Sequence, residues 1–595
     1  MNGRFSREIG LFRLSTIPVL SFLIGVVGCT FKSQKDPPST LYLPISAKIK
    51  GLDPIFAGDL YSGVQVARVY EGLLQYDYLK RPYVLIPNLA ESLPQVSPDG
   101  KTLTFKLKKG ILFQDDPCFK ETGGKGREMT SDDVMYSFKR VADPKLLSVA
   151  WWLLDGKVVG LNEWRDTEGK SSAVDYSKPI EGLKVLDRYT VQFQLKQRSA
   201  QFLYAFAMPT TSIVPREAVD TYGKDFISHP VGTGPFKLLP ESNLNSKLVW
   251  AKNPTYRKEF YPSEGEPGDQ EKGLLADAGK PLPLADKVVE RIFEESQPMW
   301  LTFMSGKLDV AGIPKDNYQQ AIGADHGLSA ELKQKGIRLT KDSEPDITHI
   351  SFNMADSLVG KNKLLRQAMS MAYDNRELIE LFYNGRAVSA QGPIPPGLTG
   401  YDPDFKNPYR QFNLVKAKEL LAQAGYPEGK GLPPLELVAT SSSTDRQLSE
   451  YAQKMFGAIG IKLKVSTYSW PEFQTAVKNK KGQLWSFAWG GDYPDAENFL
   501  QLFYSKNASP GPNDTNYSNS AYDQLYEKSL TLEDSPERTA LYKQMVLILT
   551  EDCPWIFNVH RIQFSLTQPW TKNYKRHAFE HNTAKYLRVD PVLKK

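Results

Sequence analysis

Cysteine and histidine are scarce in this chain. Among 595 residues there are three Cys and six His. One cysteine, Cys29, lies close to the N-terminus, which leaves Cys118 and Cys553. Two thiols and six scattered imidazoles do not form a structural zinc site, so neither a metal nor another cofactor is expected. A Cys118–Cys553 disulfide stays open, because sequence separation says nothing about distance in space. An excess of one charge is also missing. Lys and Arg number 74 against 68 Asp and Glu, for a net charge of +6, and no basic block stands out, which excludes nucleic acid as the natural partner. The motifs G-x-S-x-G, H-E-x-x-H and G-x-x-x-x-G-K-[ST] are absent, and no carboxylate spacing selects a glycosidase pair. The Gly-rich stretch Val231–Leu238 feeds a strand rather than a helix, so it does not read as a phosphate loop. The chain is therefore read as a non-enzyme. Beyond the N-terminal segment no uncharged run is long enough to cross a membrane.

What is present is material for several cores. The chain is too long for one hydrophobic core. Its 41% hydrophobic and 24% charged residues are those of a folded protein. Aromatics reach 11%, with 29 Tyr and 10 Trp, side chains that suit both cores and wet binding surfaces. At the N-terminus Arg4, Arg7 and Arg13 precede an apolar run from Leu14 to Val27, the pattern of a secretory signal. The run ends Val26-Val27-Gly28-Cys29, which resembles a bacterial lipobox. Cleavage before Cys29, lipid on its thiol and a polar tether over residues 30–40 are the corresponding expectations.

Along the chain, alternation predicts a strand at Thr102–Leu107 after the turn signal Ser97–Lys101, and a helix from Val134 capped by Thr130-Ser131-Asp132-Asp133. A hairpin is expected over residues 185–195. Residues 115–128 read as a polar surface insertion and 260–285 as a long exposed loop. Apolar spacing predicts one long helix over 363–382, with an imperfect seam near Asp374. Strand 435–440, helix 447–459 and strand 461–466 form a β-α-β unit, hence a parallel pair. The class is α/β, without internal repeats.

One stretch carries candidate chemistry. A buried strand over Leu484–Ala488 stops at Gly490-Gly491 and presents Asp492 between Trp489 and Tyr493. A glycine pair admits close backbone approach, and an acid ringed by aromatics suits a cation with an apolar body. Taken alone, the stretch reads first as a strand end and a turn, with an aspartate capping the next helix. Asp495 is assigned to that capping role.

The order of motifs decides between these readings. Tyr70-Glu71-Gly72-Leu73-Leu74, Leu89-Ala90-Glu91-Ser92, Asp99–Gly110, Asp132–Arg140, Gly232–Phe236, Leu365–Asp374, Gly425-Tyr426-Pro427 and the Asp492 stretch follow one another. In that order the chain resembles the extracytoplasmic solute-binding proteins of peptide ABC transporters, the oligopeptide- and dipeptide-binding group, family 5.

The resemblance implies a type II periplasmic-binding-protein fold, two lobes with a hinge and an extra inserted subdomain. The expected division is 1–28 signal peptide, 29–40 tether, 41–70 and 201–296 lobe I, 71–200 inserted subdomain, 297–556 lobe II and 557–595 the return to lobe I. The hinge crossings then fall near Ser296 and Ile556. The resemblance further implies that Asp492 holds the α-amino group of a peptide and that Trp489, Trp470, Gly491 and Tyr493 line the ligand. Ser486 stands where relatives sometimes carry an arginine, which leaves recognition of the ligand's far end open. The expected partners are a peptide, the permease subunits of an ABC importer and, through lipid on Cys29, the membrane. The protein is expected as a monomer in the periplasm or on the outer face of the envelope. A nickel chelate, haem or an oligosaccharide as cargo, or a sensor role without transport, are the alternatives.

Overall fold

The long strand Trp555–Thr567 organises the molecule, because its two halves belong to different neighbourhoods. Its first half pairs antiparallel with Asp346–Phe352 and Ala387–Ser389. Its second half pairs with Arg338–Ser343 and Val310–Gly312. The computed structural model describes residues 36–199 and 201–594, so Cys29 and the expected signal segment lie outside the described residues. From Pro37 onward the chain is one unit by its contacts.

Around the first half of that strand lies an α/β lobe. Its sheet continues through Leu484–Gly490, antiparallel to Asp346–Phe352, to Leu435–Thr440 and Leu463–Tyr468. The last two strands are parallel and joined by the helix Ser443–Gly457, which is the β-α-β unit expected from the sequence. One face of the sheet, with Ile350, Phe352 and Leu484, is covered by Leu365, Met369 and Phe456. The other, with Trp485, Trp555 and Phe557, is covered by Phe473 and by Phe499, Phe503 and Met545. The sheet is mixed, parallel only among Leu435–Thr440, Leu463–Tyr468 and Leu484–Gly490, and helices on both faces bury its two apolar sides.

The second half of the strand packs elsewhere. Phe564 and Leu566 share a core with Trp300, Phe303 and Leu332, against which Tyr42 and Phe293 are packed. Tyr42 belongs to Thr40–Ile45, which runs parallel to Lys287–Ile292 in a four-stranded sheet completed by Lys247–Lys252 and Phe236–Leu238. A second four-stranded sheet, Gln95–Val96, Thr102–Lys106, Thr190–Gln194 and Leu183–Asp187, is antiparallel throughout. Its Leu103, Phe105, Val191 and Phe193 point into one core with Leu41, Val66 and Trp250, so the inserted sheet and the first sheet solidify together. Cys118 and Cys553 are buried free thiols in separate cores.

Three local expectations are corrected. The helix expected over 363–382 stops at Ala372, where Tyr373 turns extended with φ −101° and ψ 109°. The buried Arg410 guanidinium donates to the Ser370 carbonyl at 2.5 Å, an acceptor a continued helix would give to residue 374. Asp374 then caps a new turn by accepting from the Arg376 N–H. Residues 260–285 are not an exposed loop: Tyr261, Leu274 and Leu282 are buried with Tyr78, Leu79 and Tyr586, and Lys575 pairs with Asp269 at 2.7 Å. In the 115–128 insertion Cys118 and Phe119 are buried, while Arg127 binds Asp133 and Glu217. Spaced apolar anchors among many polar residues hide such segments from a periodicity reading.

The two halves touch along a boundary. Tyr204 stacks on Tyr493 at 5.0 Å between ring centres, and Tyr61 meets Trp470 edge-on at 6.0 Å. Arg198 reaches Glu533 at 2.6 Å. The Glu295 carboxylate accepts the Ser443 N–H at 3.0 Å, at the positive end of the Ser443–Gly457 helix.

Candidate functional site between the lobes

Asp492 sits where the strand Leu484–Gly490 ends. Gly490 is the last paired residue, opposite Asp346, and the Gly491 N–H donates to the Pro345 carbonyl at 2.8 Å. Glycine leaves room at 491. A Cβ there would meet the rings of Phe499 and Phe579 at 3.2 Å, tighter than ordinary packing allows. Phe579 comes from the C-terminal return, so this glycine lets distant chain close over the end of the strand.

Asn498 fixes the orientation of the acid. Its Oδ1 accepts from the Asp492 N–H at 2.8 Å and from the Trp489 Nε1–H at 3.1 Å, and its Nδ2 donates to Asp492 Oδ2 at 2.9 Å. Asn498 is fully buried, so its amide is itself held. No other side chain hydrogen-bonds to the Asp492 carboxylate among the described residues, and no cation pairs with it there. Burial pushes the Asp492 carboxyl up to about 6, with the Glu497 charge adding to the rise and the Asn498 hydrogen bond opposing it. A desolvated carboxylate lacking a counter-charge gains from any cation placed beside it.

The other walls come from across the boundary. Tyr76 is buried, and among the described residues its hydroxyl has no hydrogen-bond partner. Burial raises its pKa, and the charges of Tyr204, Asp492 and Glu580 add to the rise. Phe579 packs on Tyr76 at 5.8 Å. Burial likewise raises the Glu580 carboxyl. Tyr493 is held from both sides. Its ring lies on Tyr204, and its hydroxyl donates to Glu497 at 2.6 Å. Trp489 is half-buried beside Asn498. Trp470 begins the helix Trp470–Lys478 and stacks on Phe487 at 5.9 Å, two residues before Trp489 on the same sheet face. Asp495 accepts the Glu497 N–H at 2.9 Å and also pairs with Arg538 at 2.9 Å.

Asn498, Tyr76, Phe579 and Glu580 were not singled out from the sequence. Asn498 lies within an apparent helix start, and the other three stand far from residue 492 with no local signal. Among the described residues no group of three or more His, Cys, Asp or Glu is placed to hold a metal.

The arrangement has a pH signature for a ligand bearing an ammonium group. The folded carboxyl, at about 6, lies above its ordinary 3.8. In the empty protein this contributes stability at low pH that is lost as pH rises through about 6. Binding of a cation runs the other way, because it needs the carboxylate. Affinity is expected to rise with pH and level off above 6, with about tenfold weaker binding at pH 5. Calorimetric titration at several pH values in two buffers of different ionisation enthalpy measures both the slope and the proton released. A flat profile would remove Asp492 from the ligand contact.

Comparison with known proteins supplies the family. Heme-binding protein A of Haemophilus influenzae is 26% identical over 533 residues, 88% of this chain and 87% of that protein. The dipeptide-binding protein of Escherichia coli is 27% identical over 84% of this chain and 86% of its own. Among solved structures, the ABC transporter-associated periplasmic binding protein DppA of Helicobacter pylori, in complex with the peptide STSA, superimposes with a TM-score of 0.75. It is 25% identical and covers 92% of this chain and 98% of its own. The fold is that of the type II periplasmic binding proteins. The profile of the bacterial extracellular solute-binding proteins, family 5, matches residues 84–511. With most of its length matched by that profile, the chain belongs to the bacterial extracellular solute-binding proteins of family 5.

Proposed function

We propose that the protein captures peptides between its two lobes and delivers them to the permease of an ABC importer. The observation that carries this reading is the half-buried Asp492 carboxylate, oriented by Asn498 and without a cationic partner among the described residues. A peptide α-ammonium placed there makes a charge-assisted hydrogen bond in a desolvated site, with the Tyr76 hydroxyl as a second polar contact. The rings of Trp489 and Phe579 accept the apolar body behind the amine. Relatives named for dipeptide binding support the cargo class. Backbone recognition combined with wet side-chain pockets gives broad specificity.

Strand pairing supports a lobe division that differs from the one expected at Ser296 and Ile556. Residues 296–343 share a core with Phe564 and Leu566, so the reading places them with lobe I. The crossings then fall between Ser343 and Asp346 and near Arg561. There the Arg561 N–H and guanidinium both donate to the Asp346 carboxylate, and Glu344 pairs with Arg576 at 2.6 Å. Closure becomes a bend of two adjacent extended segments, a hinge in the usual sense. Lipid attachment at Cys29, a place on the outer face of the envelope and a monomeric state complete the proposal.

Native mass spectrometry of the protein isolated under gentle conditions tests the cargo. A ladder of small peptide masses is the expected result. One discrete non-peptide mass would overturn the peptide reading in favour of another cargo, such as the haem for which one relative is named.

A further inference from the structure

A cavity of about 580 Å³ opens beside the inserted sheet, and none of the residues that line it belongs to the site around Asp492. One wall is the helix Ser131–Ala142, whose Asp132, Met135, Tyr136 and Lys139 all line the space. Steps of three, four and seven residues from Asp132 fall on one face of a helix. The opposite face, with Val134, Phe138 and Val141, packs into the core shared with Phe193. A second wall is the helix Arg216–Tyr222. Met135, Ile180 and Leu183, all buried, give the cavity an apolar lining. The rings of Tyr136 and Tyr176 add a flat one, 5.1 Å apart at their centres.

Most of the charge in this lining is already matched. Four acids and three bases line the cavity. Arg127 donates to Asp133 and to Glu217, both at 2.7 Å, and Arg216 donates to Asp220 at 3.1 Å. Two groups of opposite sign are left. The Asp132 carboxylate is exposed and makes no hydrogen bond or ion pair among the described residues. Lys139 is 9% exposed, and its ammonium donates to the Tyr176 carbonyl at 2.8 Å and the Lys178 carbonyl at 2.7 Å. An ammonium has three N–H bonds to give, so one is left over, and no carboxylate pairs with it among the described residues. Burial pulls the Lys139 pKa down, with the Asp175 charge opposing. A buried cation held by carbonyl dipoles alone gains from an anion brought beside it. The two leftover charges stand about 10 Å apart along the helix axis, with Met135 and Tyr136 between them.

We propose that this cavity is a second binding site, for a small zwitterion whose ammonium and carboxylate are joined by an apolar body, with Asp132 holding the ammonium and Lys139 the carboxylate. The body lies along Met135 and the Tyr136 ring. A singly charged molecule would match one leftover group and leave the other bare. A dianion would bring its second charge among the acids of the lining. The site requires nothing of the cleft, so it stands or falls apart from the peptide reading.

Calorimetric titration of the full chain with 7-aminoheptanoate, heptanoate and heptylamine tests it. The first carries both charges, about two helical turns apart when extended, and each of the others carries one. The zwitterion is expected to bind with a Kd below about 1 mM, and the other two about tenfold or more weakly. Asp132→Asn, a change at an exposed side chain, is expected to reduce the zwitterion to the affinity of heptanoate. Lys139→Met, which keeps an apolar stem, is expected to reduce it to that of heptylamine, and the exposed variant serves if this one does not fold. Asp492→Asn is expected to bind the zwitterion as the native protein does. No binding at about 10 mM probe, or heptanoate bound as tightly as the zwitterion, would overturn the site. So would a loss in Asp492→Asn that Asp132→Asn does not share, the probe then lying in the cleft.

Discussion

Replacing Asp492 by asparagine is expected to cut affinity for peptides with a free amino terminus by about 3–5 kcal/mol, or roughly two to three and a half decades in Kd. The size follows from what remains after the change. The ligand ammonium would still be drawn to the half-buried position of residue 492 but would meet a neutral amide, and the partial desolvation that strengthens the pair in the native protein then works against the lone charge. Asn498 can still bond the substituted amide through its own amide, so the shape of the turn survives and the loss reports charge rather than collapse. N-acetylated peptides carry no such charge and are expected to bind the native and substituted proteins within a few-fold of one another. Isothermal titration of matched free and acetylated peptides makes the comparison. Equal losses for both kinds would sink the amine anchor.

The second large effect is on stability. Arg68 and Glu290 form an ion pair at 3.0 Å with both side chains only 2% exposed. Trp250 Nε1–H donates to the other carboxylate oxygen at 2.7 Å, and Arg68 also donates to Asn582 Oδ1 at 2.9 Å. Four distant parts of the sequence are tied by these few bonds. Arg68→Met strands the Glu290 charge in the core and is expected to cost about 3–5 kcal/mol, read as a lower denaturant midpoint for lobe I. Arg68→Met with Glu290→Leu is expected to cost less than the single change, because it removes the buried charge along with its partner. A single variant within about 1 kcal/mol of the native protein would show that water reaches the pair.

Much of this molecule was legible in the chain. The β-α-β unit at 435–468 showed itself by period, and the inserted hairpin over 185–195 by its turn residues. The Gly-Gly-Asp stretch gave the central acid of the site, though only the order of motifs raised it above a capped turn. Other features were hidden for identifiable reasons. The remote Arg410, which claims the Ser370 carbonyl, and the Asp374 cap of the next turn together accompany the stop of the helix, and the first of these has no local signal. The strand Trp555–Thr567 changes partners midway, which no local pattern announces and which shifts the proposed hinge. Tyr76 and Phe579 belong to the site through folding across some 500 residues, a separation at which periodicity carries no information.

The place of the C-terminal return has a consequence for how the protein is made. Tyr78 donates to the Asn573 carbonyl at 2.6 Å, Lys585 to Gln75 at 2.7 Å, and Arg68 to Asn582. A growing chain emerges from its first residue, so these early groups wait through almost the whole of translation for the residues that complete them. In the division proposed above, the lobe that starts the chain is the last to be finished, whereas the strands from residue 346 to residue 561 are all made while the return is still unmade. A chain cut short just before residue 571 would keep Asp492 and its asparagine yet have no roof over them. Quality control by a protease would then find the defect in the oldest part of the polypeptide.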